Sequence, residues 1–188
     1  MPRAVGDEPA SRTVELVALS PDGRLLAGAA GHLVRVGDVV DGTVLVERSV
    51  GGTVTALAFS PDGATLAVGD SAGTLTLLSS GDGRVVTAQI KTAITALAFS
   101  ATGADLMVGD ADGGVRRVRA EDGSDLGARR DFSHRVRWLS FDSSGSTLFV
   151  ATMEWLHAVR AANLEPVASR FALRSLAGHA FVPRSEEH

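Results

Sequence analysis

The chain has 188 residues, 45% of them hydrophobic, and a formal net charge of −4. This is enough material for one substantial core, and the sign of the charge argues against wholesale attraction to nucleic acid or to an anionic membrane surface. The absence of cysteine excludes disulfides and thiolate metal sites, and no apolar run approaches the roughly 20 residues that span a bilayer.

In chain order, residues 1–12 read as a polar lead. Their sequence, MPRAVGDEPASR, lacks the apolar region of a secretory signal, so a cytoplasmic location is the expectation. The next stretch, VELVALSPDG ending at Gly23, recurs as VTALAFSPDG ending at Gly63, ITALAFSATG ending at Gly103 and VRWLSFDSSG ending at Gly145. The spacings are 40, 40 and 42 residues (Gly23 to Gly63, Gly63 to Gly103, Gly103 to Gly145), the mark of one supersecondary unit copied four times. Each copy opens on a short apolar run, which is how a strand covered on both faces reads. Ser-Pro-Asp-Gly then suits a type I turn, with Pro presetting φ and Asp bonding locally to the backbone. A second strand follows, as in Leu66 to Asp70 and Leu106 to Asp110, then a small hinge such as Ser71-Ala72-Gly73 or Ala111-Asp112-Gly113. A third strand runs to Asp41-Gly42, Asp82-Gly83 or Asp122-Gly123, and a more polar fourth strand closes the unit. Four strands per repeat is the build of a propeller blade.

Over about residues 13 to 173 the chain resembles the WD-repeat β-propeller family, on the strength of the repeated SPDG-type turn, the strand lengths and the hinge. The signature residues depart from that family: Gly37-Asp38, Leu78-Ser79 and Val118-Arg119 stand where a Trp-Asp pair would fall. The resemblance implies an all-β propeller of four-stranded antiparallel blades and a scaffold that binds other proteins. The blades are expected at 13–52, 53–92, 93–134 and 135–173, with a tail over 174–188. Four blades of a seven-bladed ring sweep only about 206°, at about 51° each, so two apolar blade faces are left open. Two chains joining as a homodimer, a different chain supplying the missing blades, or closure of four blades on themselves would each resolve this. Completion by a second chain is the preferred expectation.

Two tryptophans fall in the last repeat. Trp138 aligns with Leu16, Ala56 and Ala96, and Trp155 aligns with Leu75 or Val115. Each suits compensating core packing, or an anchor at the open blade face, where Trp is a favoured hot-spot residue. Arg116, Arg117, Arg119, Arg129, Arg130, Arg135 and Arg137 place seven of 17 arginines within 22 residues. Interleaved acids suit a solvated rim with local ion pairs. The alternative is a docking patch for an acidic partner, since Arg offers a bidentate fork to a carboxylate or phosphate. The candidate partner-binding set is therefore Arg116, Arg117, Arg119, Arg130, Arg137 and Trp138. No aromatics interleave the arginines for base stacking.

Signals for chemistry are weak. Asp110-Ala-Asp112-Gly113 echoes the start of a calcium loop, but Gly114 stands at the next ligand position and no bidentate Glu follows, so a hinge turn is expected. The five histidines lack metal-ligand spacing, and His134 near Asp131 and Ser133 has no nucleophile elbow. The inward strand starts, Val14, Val54, Ile94 and Val136, give an apolar channel rather than a catalytic one. The reading is a non-catalytic protein-interaction scaffold with no cofactor and no metal. The alternatives are a propeller enzyme of hydrolase or lactonase type with a channel site, and a sensor or regulatory segment of a larger protein.

Overall fold

A computed structural model describes residues 13–167 and 171–172; the expected N-terminal lead and C-terminal tail lie outside these. Sixteen strands form four antiparallel sheets, each built from strands consecutive in sequence. Blade 1 contains β1 (Leu16–Leu19), β2 (Leu25–Ala30), β3 (Leu33–Asp38) and β4 (Val44–Ser49). Blade 2 contains β5 (Val54–Phe59), β6 (Thr65–Asp70), β7 (Thr74–Ser79) and β8 (Val85–Gln89). Blade 3 contains β9 (Ile94–Phe99), β10 (Asp105–Asp110), β11 (Gly114–Arg119) and β12 (Asp125–Asp131). Blade 4 contains β13 (Trp138–Phe141), β14 (Thr147–Ala151), β15 (Trp155–Arg160) and β16 (Phe171–Ala172). Among the described residues no helix is long and apolar enough to cross a membrane.

Local chemistry sets the first turn of each blade. The Gly63 N–H donates to Ser60 O, and Gly63 itself sits at φ 71°, a type I turn closed by a left-handed residue. The Ser60 hydroxyl donates to Asp62 Oδ1 and accepts from the Thr65 N–H, while Asp62 Oδ1 also accepts from the Ala64 N–H. Blade 1 repeats the arrangement with Ser20, Asp22, Arg24 and Leu25. Blade 4 reaches the same end with different residues: Asp142 accepts from the Thr147 N–H and from the Ser144 hydroxyl.

The blades pack face to face through their first strands, β1 on β5, β5 on β9 and β9 on β13, as an open row. Each seam is one core. Between blades 2 and 3 it contains Ala56, Ala67, Leu75 and Leu77 from one side and Ile94, Leu106, Val108 and Val118 from the other. Between blades 3 and 4 it contains Ala96, Met107 and Val115 against Val136, Leu139, Leu148, Val150 and Val159. At the innermost strand of the seams between blades 2 and 3 and between 3 and 4, small residues of the trailing face, Ala56 and Ala96, meet larger ones of the leading face, Ile94 and Val136. The close approach is visible at Gly69, where a Cβ would lie 2.4 Å from Ile94 Cγ2, and at Gly109, where it would lie 2.5 Å from Val136 Cγ1. A side chain there would force the sheets apart. Val54, Ile94 and Val136, expected to line a channel, are buried in these seams instead. A bulge after the first residue of β5 and β9 turns Val54 and Ile94 toward the preceding blade, where strict alternation would have put them on the face of Ala56 and Ala96.

The hinge between second and third strands is held by a buried carboxylate where the residue type allows. Asp70 Oδ1 accepts from the Ala72 and Thr74 N–H groups, and its Oδ2 accepts from the Gly52 N–H at the entrance to the blade. Asp110 Oδ1 likewise accepts from the Asp112 and Gly114 N–H groups, so the calcium-like stretch is a hinge turn. In blade 4, Thr152 replaces the Asp and exchanges hydrogen bonds with Trp155. This hinge is one residue shorter: Gly69 pairs with Leu75 and Gly109 with Val115, whereas Ala151 pairs with Leu156. Leu156 therefore holds the Leu75 position. Trp155 falls on the opposite face, toward blade 3, because a one-residue shift reverses every side chain of a strand.

Candidate interaction surfaces

The open row leaves two end faces rich in apolar residues, and the leading face of blade 1 also carries the exposed Arg35–Glu47 ion pair in the same cross-strand row as Val17 and Gly28. At one end, the leading face of blade 1 carries Val14, Val17 and Leu19, which are 57%, 66% and 57% exposed, with Leu26 beside them. Their counterparts in the interior blades are the seam residues, such as Val54 at 4% and Ile94 at 0%. At the other end, the trailing face of blade 4 carries Trp138, 52% exposed, with Phe149, Ala151, Leu156 and Ala158 on the same side of the sheet. Trp138 is thus not core packing. It stands where Ala56 and Ala96 are covered by the next blade.

The arginine cluster divides by location. Arg117 belongs to the seam between blades 3 and 4: its Nη1 donates to Ala162 O at 3.0 Å and its Nη2 to Asp105 Oδ2 at 2.7 Å. Arg130 Nη1 donates across the same seam to Leu164 O at 3.4 Å, with its guanidinium 5.7 Å from the Phe132 ring centroid. Phe132 in turn packs on His157 of blade 4, ring centroids 4.7 Å apart. Arg116 lies 3.8 Å from the buried Asp110 carboxylate; Arg116 Nε and Asp110 Oδ2 are buried without a hydrogen-bond partner. Asp110 lacks the third donor that Gly52 supplies to Asp70, and the Arg116 charge faces that oxygen instead. Arg119, Arg135 and Arg137 are exposed. Arg119 stands 3.8 Å from Asp122, whose carboxyl is held below its usual range first by the Ser124 hydroxyl, then by the Ser124 N–H, and further by the Arg119 charge. Arg129 pairs with Asp131 at 2.8 Å.

Strand position gives Arg137 a distinct setting. It immediately precedes β13, at the repeat position that blades 2 and 3 fill with Thr55 and Thr95. The Thr55 hydroxyl donates to Ile94 O of the following blade, and Thr95 donates to Val136 O at 2.6 Å. Arg137 therefore marks the donor position of a blade seam on the end face beside Trp138. Sequence alignment of the repeats places these residues together, but the donor role is visible only once the seams are known.

A cleft of about 530 Å³ lies over the seam of blades 3 and 4, between Ser100, Asp105, Arg117, Phe141, Thr147 and Ala162. Of its three charged lining residues, Arg117 and Asp105 pair with each other, and Arg160 is the third. Among the described residues, no group of three or more His, Cys, Asp or Glu is placed to hold a metal ion.

The WD40-domain family of anaphase-promoting complex subunit 4 matches residues 43–93, which comprise β4 and all four strands of blade 2. No curated protein matches the chain. WD40 domains are in general non-catalytic scaffolds that mediate protein–protein interaction. Four consecutive sheets of one pattern, the shared turn and hinge chemistry, and this match over residues 43–93 support a WD-repeat-like fold.

Proposed function

We propose that the chain is a non-catalytic protein-interaction scaffold whose two open blade faces are the binding surfaces, completed by a second chain. The observation that carries this reading is the exposure of Val14, Val17, Leu19 and Trp138 at positions where interior blades bury their equivalents wholly, as at Val54, Ile94, Ala56 and Ala96, or partly, as at Leu57 and Phe59. Contiguous apolar surface of this kind on a folded domain marks an interaction site. The matched family, a domain of a complex subunit, is consistent with such a role. Of the candidate arginines, Arg137 and Arg119 remain exposed outside the seams, and Arg137 adjoins the proposed surface.

The test is site-specific photo-cross-linking of the full chain in extract of its own cells, with the probe at position 138, at position 17, or at Val40, which is 88% exposed on a turn. Intermolecular products from positions 138 and 17 but not from position 40 are expected. Intramolecular products alone from both end faces would contradict the proposal.

A further inference from the structure

The residues at the two ends differ from those of the interior seams in three ways, and the differences are complementary. The first concerns the leading faces. Blades 2, 3 and 4 present Leu57, Leu97 and Leu139 at the fourth position of the first strand, and Phe59, Phe99 and Phe141 at the sixth. Blade 1 has Val17 and Leu19 there. By register, Val68, Val108 and Val150 correspond to Gly28, and Leu78, Val118 and Val159 correspond to Gly37. At four positions the leading face of blade 1 has been cut back.

The second concerns the trailing faces, which change in the opposite sense. Blade 2 presents Ala56, Ala67 and Gly69, and blade 3 presents Ala96, Met107 and Gly109; blade 4 presents Trp138, Phe149 and Ala151. The seams between blades 2 and 3 and between 3 and 4 leave no room for a Cβ at Gly69 or Gly109, and the largest residues at the Ala56 and Gly69 positions in an interior seam are Leu16 and Ala29 of blade 1. A face bearing Trp138 and Phe149 accepts another blade only if that blade's leading face is reduced, and blade 1 carries the reduced face. Volume moved from one side of a seam to the other keeps packing density while changing its partition.

The third is charge. The repeat position of Thr55 and Thr95 in blades 2 and 3 is filled by Glu15 just before β1 and by Arg137 just before β13. Neither Glu15 nor Arg137 has an ion pair among the described residues. In a seam, this position donates to the carbonyl of the first residue of the following inner strand, as Thr55 does to Ile94 O. Blade 4 meeting blade 1 would set Arg137 against Val14 O and the adjoining Glu15 carboxylate.

Resting on the scaffold reading above, we propose that the second chain is another copy of this one. The trailing face of blade 4 in each copy seats on the leading face of blade 1 in the other. Two such seams close a two-fold ring of eight blades, within the four-to-eight range of propellers. Trp138 fills the space over Val14 and Val17 of the second copy, because its strand neighbour Ala151 stands at the Gly109 position, which faces Val136 and Leu139 in the interior seam. The seam is selective: blade 4 is too bulky to receive an interior-type leading face, which keeps the row from adding blades of the ordinary pattern.

The experiment is light scattering coupled to size exclusion on the full chain across a dilution series, with oxidative footprinting of Trp138 and Val17 read by mass spectrometry. A mass of twice 19.4 kDa is expected, with both residues protected. Arg137→Glu is expected to raise the dissociation constant about tenfold, and Trp138→Ala about thirtyfold. Arg137→Glu with Glu15→Arg is expected to restore the dimer. Rescue by charge exchange requires the two residues to face each other between copies. A dimer insensitive to these variants, or not rescued by the exchange, would overturn the seam. A monomer with Trp138 and Val17 open to oxidation would overturn the second copy while leaving the scaffold reading standing. A monomer with both residues protected would overturn the two together.

Discussion

Short polar side chains at turns decide where the strands begin, and most of that chemistry is local enough to be legible in the sequence. Ser60-Pro61-Asp62-Gly63 forms the expected type I turn because its hydrogen bonds join residues no more than five apart. Asp70 reads from sequence as the last residue of the second strand, but its bond to the Gly52 N–H spans 18 residues and no local pattern reveals it. The turn carboxylates also set an acid limit. The Asp62 carboxyl is held below its ordinary value, first by the Ser60 hydroxyl and then by the Ala64 N–H, and Asp22 is held similarly by Ser20 and then Arg24. Asp142 is held down by the Thr147 N–H and then by Ser144. A carboxyl with a lower value folded than unfolded stabilises fully above the unfolded value, about 3.9, and loses that contribution as pH falls through the folded one. The melting temperature is expected to be flat down to about pH 5 and to fall below about pH 4. Asp62→Asn cannot be protonated, so its acid-side decline should be shallower; an unchanged decline would mean that these turns do not set it.

Strands and hinges carry the next level of information, and here sequence reading succeeds on strand order but misplaces one face. The four-strand repeat follows from apolar runs punctuated by Gly turns, all short-range features. Trp155 was expected at the Leu75 position, but the hinge after Ala151 is one residue shorter, and the shift puts Leu156 there instead. Nothing in the composition of Met153 and Glu154 signals that loss, since the hinge itself tolerates either length. The arginine run shows the same limit. Its alternation is legible, but Arg117 and Arg130 reach carbonyls 45 and 34 residues away, which only the packing of blade 4 on blade 3 brings near. Arg117→Ala removes a donor from the Ala162 carbonyl and the partner of Asp105. Amide exchange in β15 and the turn after it is expected to accelerate about tenfold, as for loss of one hydrogen bond from a charged donor. Exchange in β5 to β8 should not change. Uniform acceleration through all blades would place Arg117 in the global core rather than at this seam.

For the whole molecule, four blades in an open row pose the question of what covers the ends. The repeat count made the open faces legible, and Trp138 stood out against Leu16, Ala56 and Ala96. The reductions at Val17, Leu19, Gly28 and Gly37 were equally present in the sequence. They had no meaning until strand pairing showed that all four share the face that blades 2, 3 and 4 use to seat on their predecessors. Large residues on one end and small ones on the other, with Arg137 and Glu15 at matching positions, are what a ring of two copies requires. The most direct measurement is class-averaged electron microscopy of the purified full chain. Closed rings of eight blades with two-fold symmetry are the predicted result. Open half-rings, or particles in which four blades close by themselves, would contradict it.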